Sequence, residues 1–255
     1  MMKNQIKANI LLLTTLIILL AGCSSKSDQE ANFRVGQFFL NSEKATITLY
    51  EGTDEVASLQ LKYGQLSEYQ TIASNIYKIK VWADGNLVLE KKIGMGNSGK
   101  YTLVLTGIPE KNQAVNEESF TNSLHNIAEG SEGITSNNFL PQLLIQDDFY
   151  IKEMNRANIS ITNLLPGALN STVSLIKKDK EVKLDAVAYP QTSDLKVIDT
   201  GTYDLQFYID GNLQATLLGQ ETIEEDVLYS LYLIPNPEKY ITNPELIIGK
   251  NKMPK

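Results

Sequence analysis

The feature that most constrains this chain is that it repeats itself. Shifted by 126 residues, the sequence aligns with itself without a gap from residue 31 to residue 87, and 15 of the 57 pairs are identical. Among them are Asn32/Asn158, Leu49/Leu175, Tyr63/Tyr189, Ser67/Ser193, Tyr77/Tyr203 and the tetrapeptides Asp84-Gly85-Asn86-Leu87 and Asp210-Gly211-Asn212-Leu213. Two residues are then added in the second copy before Tyr101–Leu105 aligns with Tyr229–Leu233. The next shared piece, Pro141–Ile145 against Pro244–Ile248, lies 30 residues beyond Glu110 but only 5 beyond Glu238, so the first copy carries an insertion of 25, at about 113–139. Units this long are duplicated domains, since solenoid repeats are much shorter. The expected domains are 31–148 and 157–250. At 255 residues and 42% hydrophobic, the chain has enough apolar material for two cores.

Each copy reads as β. Short runs rich in Val, Ile, Leu and Tyr recur between polar or Gly-containing breaks, the pattern of a sandwich or barrel. Tyr77, Ile79 and Val81 alternate with Lys78 and Lys80, as Tyr203, Leu205 and Phe207 alternate with Asp204 and Gln206, which puts the apolar members on one buried face. A three-residue Asp84-Gly85-Asn86 loop sets Val81 opposite Leu89 and Tyr77 opposite Ile93, and in the second copy Phe207 opposite Ala215 and Leu205 opposite Leu217. A two-residue loop sets Val81 opposite Val88 instead. The first arrangement is the expectation, with Asn86 and Asn212 near the left-handed region.

Ahead of the repeat, Lys3 and Lys7 precede an apolar run from Ile10 to Leu20, broken only by Thr14 and Thr15, and then Ala21-Gly22-Cys23. Eleven residues fall well short of the ~20 needed to cross a bilayer but fit a secretory signal. Leu20-Ala21-Gly22-Cys23 resembles the lipobox of bacterial lipoproteins. The resemblance implies removal of residues 1–22, diacylglycerol on the Cys23 sulfur and an acyl chain on its new amine, which together anchor a protein stably to a membrane. Cys23 is the only cysteine. Residues 23–30 read as a polar tether. Ser24 after the cysteine is similar to the outer-membrane sorting pattern of Gram-negative bacteria, and Asp28 and Glu30 weakly resemble an acidic surface-export tag. Cleavage removes two lysines and no acids, leaving 21 basic against 30 acidic side chains, a net charge of −9. Such a surface argues against a nucleic-acid partner.

The repeated residues also resemble a family as a set. Asn163–Ala168, Val173-Ser-Leu, Tyr63–Tyr69 with its copy Tyr189–Asp194, the Tyr77/Tyr203 strand and Tyr101–Gly107 are similar to the bacterial DUF4397 family. That resemblance implies tandem β-sandwich-like domains (Ig/transthyretin-like), secreted or lipid-anchored, with no established activity. The sequence departs from the pattern at Pro190, where the first copy has Gly64, and the first copy lacks the Asn-x-x-Pro opening seen at Asn163.

The candidates for chemistry are few. Gly94–Gly99 matches G-x-G-x-x-G, but a strand pattern follows where a dinucleotide fingerprint needs a helix. His125, the only imidazole, lies in the insertion off the apolar face of a short helix expected between Asn116 and Gly130. The acidic pairs Glu117-Glu118 and Asp147-Asp148 and the run Glu224-Glu225-Asp226 read as solvated loops, with weak Ca²⁺ binding at Glu224–Asp226 a distant second. Asn158 and Asn170 match the glycosylation acceptor pattern, as chance composition allows in a bacterial secreted chain. Trp82 and Tyr208 occupy equivalent places on the polar face of the hairpin, where an exposed ring can stack on a sugar or cover a cross-strand neighbour such as Val88. No catalytic residue, metal or cofactor is expected beyond the lipid on Cys23. The expectation is a lipid-anchored envelope protein, in the outer membrane, with a non-enzymatic interaction or structural role. The partners to consider are an envelope protein or a surface glycan.

Overall fold

The computed structural model describes residues 29–109, 139–178, 180–209, 212–237 and 240–253. The chain is all-β, with strands accounting for 69% of the described residues and no helix among them. The first copy contains β1 (Glu30–Phe39), β2 (Lys44–Glu51), β3 (Asp54–Lys62), β4 (Gln65–Leu66), β5 (Gln70–Ala73), β6 (Asn75–Ala83), β7 (Asn86–Met95), β8 (Lys100–Gly107) and β9 (Gln142–Asp147). The second contains β10 (Arg156–Asn163), β11 (Ser171–Lys177), β12 (Lys180–Lys183), β13 (Lys196–Asp199), β14 (Gly201–Ile209), β15 (Asn212–Ile223), β16 (Val227–Asn236) and β17 (Tyr240–Lys252).

Each copy is a sandwich of two sheets. In the first, β3-β2-β6-β7 form an outer sheet, while β4 and β5, β1, β8 and β9 form an inner one; in the second, the outer order is β12-β11-β14-β15 and the inner order β13-β10-β16-β17. The alternation legible in the hairpins decides which residues fill each core. Ile47, Leu49, Tyr77, Ile79 and Val81 from the outer sheet meet Phe33, Val35, Leu103 and Leu105 from the inner one. Val173, Leu175, Tyr203, Leu205 and Phe207 meet Ile159, Ile161, Tyr229 and Leu231 in the same way. Both inner sheets pair their first strand in parallel with their eighth or corresponding strand, β1 with β8 and β10 with β16, inside otherwise antiparallel sheets.

The hairpin combines features of both sequence readings. Val81 does face Leu89 and Tyr77 faces Ile93, but Ala83 pairs with Asn86, so the turn has two residues, and a bulge after Val81 absorbs Val88. Asp84 (φ 48°) and Gly85 (φ 88°) occupy the left-handed region expected of Asn86. Two positive φ values in a row make the tight turn whose twist matches the flanking strands. In the second copy Phe207 faces Ala215, whereas Leu205 falls within an irregularity between Asp204↔Gln220 and Gln206↔Thr216. That irregularity holds two surplus residues on β15, which is where the two residues added in the second copy are accommodated.

The inner sheets are buried on both faces because they pack on each other, giving a four-layer stack. Phe38, Val104 and Leu144 of the first copy form one cluster with Leu164, Tyr232, Ile234 and Ile247 of the second. The Phe38 and Tyr232 rings stack with centroids 5.2 Å apart. The two copies contribute equivalent surfaces: Phe38 corresponds to Leu164, Val104 to Tyr232 and Leu144 to Ile247. Contacts are also reciprocal. Gln146 reaches Thr192, the counterpart of Leu66, while a Cβ on Gly249, the counterpart of Gln146, would meet the Leu66 side chain at 2.8 Å. Tyr63 donates to the Pro235 carbonyl, and its counterpart Tyr189 stacks edge-on against Phe139, at the end of the insertion, at 5.5 Å. This is the isologous pattern of a two-fold dimer, here within one chain.

The registers give the molecule two distinct ends. Glu30, the β8 start at Lys100, the linker after Asp147 and Arg156 lie together at one end. The hairpin turn at Asp84-Gly85, the loop from Leu164 to Asn170 and both flanks of the insertion, Ile108 and Phe139, lie at the other. Nine strand steps of about 3.3 Å put roughly 30 Å between them.

Candidate functional site

Trp82 and Tyr208 both lie on outer sheets near the end remote from Glu30, and both are half-buried. Their surroundings differ for a backbone reason. In the first copy β3 runs on to Lys62, so Gln60 pairs with Thr46, which pairs in turn with Trp82, filling that row across the sheet. Gln60 donates to Thr46 Oγ1 at 3.3 Å. Glu90 receives Lys78 at 2.5 Å and Lys80 at 3.7 Å further along the same face. Trp82 is therefore one member of a filled polar face, and its cross-strand partner is Leu87; Val88 packs instead against the core.

In the second copy β12 ends at Lys183, opposite Ser174, and leaves Thr172 without the neighbour that Gln60 supplies to Thr46. The chain turns away through Leu184–Ala186, opening a depression of about 450 Å³ lined by Asn170, Thr172, Lys183, Asp185 and Tyr208 among others. The Lys183 ammonium stands 5.3 Å from the Tyr208 ring centroid, and the Tyr208 hydroxyl donates to Gln206 Oε1 at 3.2 Å. An aromatic ring beside an amide, a hydroxyl, an ammonium and a carboxylate offers the mixed apolar and polar lining of a small-ligand site.

The second constellation lies between the domains, and sequence reasoning missed it. Arg34 is only 2% exposed. Its Nε donates to Thr102 Oγ1 at 2.8 Å and its Nη2 reaches Ser230 Oγ of the second copy at 3.4 Å. Asp148 Oδ2 accepts from Thr102 and from the Tyr69 hydroxyl, each at 2.6 Å. Arg34 and Lys100 stand 4.8 and 4.6 Å from the Tyr69 centroid, and Lys100 Nζ donates to Asn251 Oδ1 at 2.7 Å. Burial pushes the Asp148 carboxyl above its ordinary range, against Arg34, the two hydrogen bonds and Lys100, all of which favour the anion. Burial likewise raises the Tyr69 phenol and lowers the Lys100 ammonium. Gln146 completes the interface by donating to Thr162 Oγ1 at 2.7 Å and Thr192 Oγ1 at 2.8 Å while accepting from the Tyr232 hydroxyl at 3.0 Å.

This corrects the reading of Asp147-Asp148 as a solvated pair. The two alternate across the end of β9, so Asp147 is exposed and Asp148 is held in the interface. The available signal was Arg34 inside Phe33-Arg34-Val35, a full charge flanked by large apolar residues within one strand. In Glu224–Asp226 two carboxylates are engaged, Glu225 by the Asn155 amide and Asp226 by the Tyr150 hydroxyl, and no group of acids or imidazoles suited to a metal occurs among the described residues. Asn158 is buried and clamps Ile151 through both its amide atoms, so it is no glycosylation acceptor. Gly94–Gly99 leads from β7 into β8, a strand, as expected. Cys23, Glu117-Glu118, the helix expected over 116–130 and His125 lie outside the described residues.

No family model matches the chain, and no curated protein matches it in sequence. Among solved structures, the tip fimbrial protein Mfa3 from Porphyromonas gingivalis aligns over 88% of this chain and 100% of its own, at 7% identity and a TM-score of 0.27. A fimbrilin from the same organism aligns over 88% and 97% at 8% identity and 0.19. The Bacillus anthracis TIE protein aligns over 81% of this chain and 34% of its own, at 10% identity and 0.25. At such scores these likenesses carry no argument about role.

Proposed function

We propose that this chain is a lipid-anchored protein of the bacterial outer membrane that presents an interaction surface without catalysing a reaction. The observation that carries the reading is the polarity of the molecule. Glu30, which continues the Cys23 tether, starts at one end, while the Tyr208 depression and the flanks of the insertion occupy the other, about 30 Å away. The interface between the sandwiches supports the same role, because a buried apolar and polar contact makes two domains behave as one rigid spacer. Asp148, a buried carboxylate, is engaged by Tyr69 and Thr102 within that spacer and has a structural part. Palmitate labelling tests the anchor, with incorporation lost in Cys23→Ala and continued labelling contradicting it.

A second reading, glycan capture, is favoured by the depression beside Tyr208. Electrophoresis of the protein through gels containing soluble polysaccharides separates the two. Retardation that disappears in Tyr208→Ala but survives in Trp82→Ala assigns the ligand to the second domain. Retardation lost equally in both assigns it to the paired aromatics, and migration unchanged by every glycan leaves a protein partner as the better account.

A further inference from the structure

The end of the molecule nearest the tether carries apolar side chains that the fold holds outward. In the linker between the domains, Phe149, Ile151 and Met154 are 56%, 43% and 85% exposed. Ile76, 67% exposed, stands at the same end, at the start of β6. The linker is pinned in place. The Asn158 side chain accepts from the Ile151 amide at 3.0 Å and donates to its carbonyl at 2.8 Å. The neighbouring Tyr150 hydroxyl is held by Asp226 at 2.9 Å, and the Asn155 amide by Glu225 at 2.7 Å. Segments that expose large apolar groups singly are ordinary, but several on one fixed segment mark a contact surface.

The repeat indicates what meets that surface. At the 126-residue offset the linker 149–155 is the counterpart of the tether 23–29, and Phe149 occupies the place of Cys23. Both leaders feed the first strand of an inner sheet, β1 and β10, and the reciprocal packing brings those strand starts to one end. Only six residues separate the Cys23 position from Glu30, a reach of at most about 25 Å over the seven steps when fully extended. A lipidated Cys23 thus keeps Glu30, at the linker's end of the molecule, within that distance of the bilayer. The exposed Lys152 adds a cation among the apolar groups, suited to anionic headgroups.

We propose that Phe149, Ile151 and Met154 rest in the headgroup region of the same membrane that holds the lipid, so that the linker is a second, non-covalent foot. The proposal rests on the lipid-anchor reading, and it sets the two-domain body upright with the Tyr208 depression pointing away from the bilayer. The test uses the full-length lipidated protein in phosphatidylethanolamine/phosphatidylglycerol vesicles, with Met154→Trp introduced into a Trp82→Phe background and the parent protein, whose only tryptophan is Trp82, as the distal control. Lipids brominated close to the headgroup are expected to quench the tryptophan at position 154 about twofold, as an interfacial residue requires, and to leave Trp82 unchanged. Cys23-dependent flotation with neither site quenched overturns the proposal while leaving the anchor intact. Failure of the parent protein to float removes the anchor, and the second foot with it. Shielding of position 154 in detergent as well as in vesicles, with a doubled mass, assigns the patch to a second copy and also overturns the proposal.

Discussion

The two copies share a fold and a packing face, yet they fill that face with opposite chemistry. Where the first has Arg34, Tyr69, Lys100 and Asp148, the second has Ser160, Leu195, Leu228 and Asn251. A self-complementary face used twice would place like charges against like across the axis. Neutral counterparts in one copy remove that repulsion and leave each charge facing a hydroxyl or an amide, as Arg34 faces Ser230 and Lys100 faces Asn251. Duplication within one chain permits this division, because the two halves of an isologous contact can then be changed independently.

The comparison can be broken most severely at Arg34. Arg34→Met removes the cation that most strongly favours the ionised form of the buried Asp148, and since uncovering a buried charge costs up to about 3–5 kcal/mol, denaturant unfolding at neutral pH should show a loss approaching that size. Writing the second copy's residues into the first, as Arg34→Ser with Asp148→Asn, should recover much of it, since coupled partners are not additive. A double variant as unstable as the single one would mean that the charges themselves, rather than their pairing, hold the domains together.

Phe38→Ala empties one side of the stacked pair with Tyr232 and should cost about 3–4 kcal/mol, with loss of cooperative unfolding between domains as a calorimetric sign. The pH dependence is a sharper probe. Because the folded Asp148 carboxyl titrates above its ordinary value of 3.8, the folded state holds its proton more tightly than the unfolded chain. The associated stability is present below pH 3.8 and is lost as pH rises through the raised value. Melting curves of the parent and Asp148→Asn should therefore converge toward acid and separate as the pH rises, with the parent losing relative stability. Arg34→Met should likewise be milder at acid pH, where Asp148 carries no charge.

Smaller effects fall on the glycines. Gly249 admits Arg34, and a Cβ there would lie 3.1 Å from the guanidinium nitrogens and 2.8 Å from a Leu66 methyl. Gly249→Ala should cost about 1–3 kcal/mol through this crowding. At Gly85 a Cβ meets nothing within 4 Å, but φ is +88°. Gly85→Ala should therefore cost only about 1 kcal/mol, the penalty of a left-handed backbone. Equal losses at the two sites would show that the interface yields more readily than its geometry implies.

Much of each sandwich was legible along the chain. The alternation at Tyr77–Val81 and Tyr203–Phe207 assigned core faces correctly, and the pairing of Val81 with Leu89 followed from parity across the two copies. The turn was misplaced by one position because a three-residue loop and a two-residue turn followed by a bulge give the same downstream register. Trp82 and Tyr208 looked equivalent from their positions, and what separates them is where β3 and β12 stop. That ending is a property of neighbouring strands, invisible in the local sequence.

By itself the sequence determined the duplication, the all-β class, the insertion in the first copy and the inward residues of β6 and β14. These follow from periodicity and from comparison of the chain with itself, which are local or internal properties. Only the tertiary structure decided that the two inner sheets bury each other, that Asp148 is bonded to Tyr69 while Asp147 meets solvent, and that the start of β1 and the linker lie at one end. Those outcomes depend on which residues far apart in the chain come within a few ångströms, and no spacing along one strand carries that information.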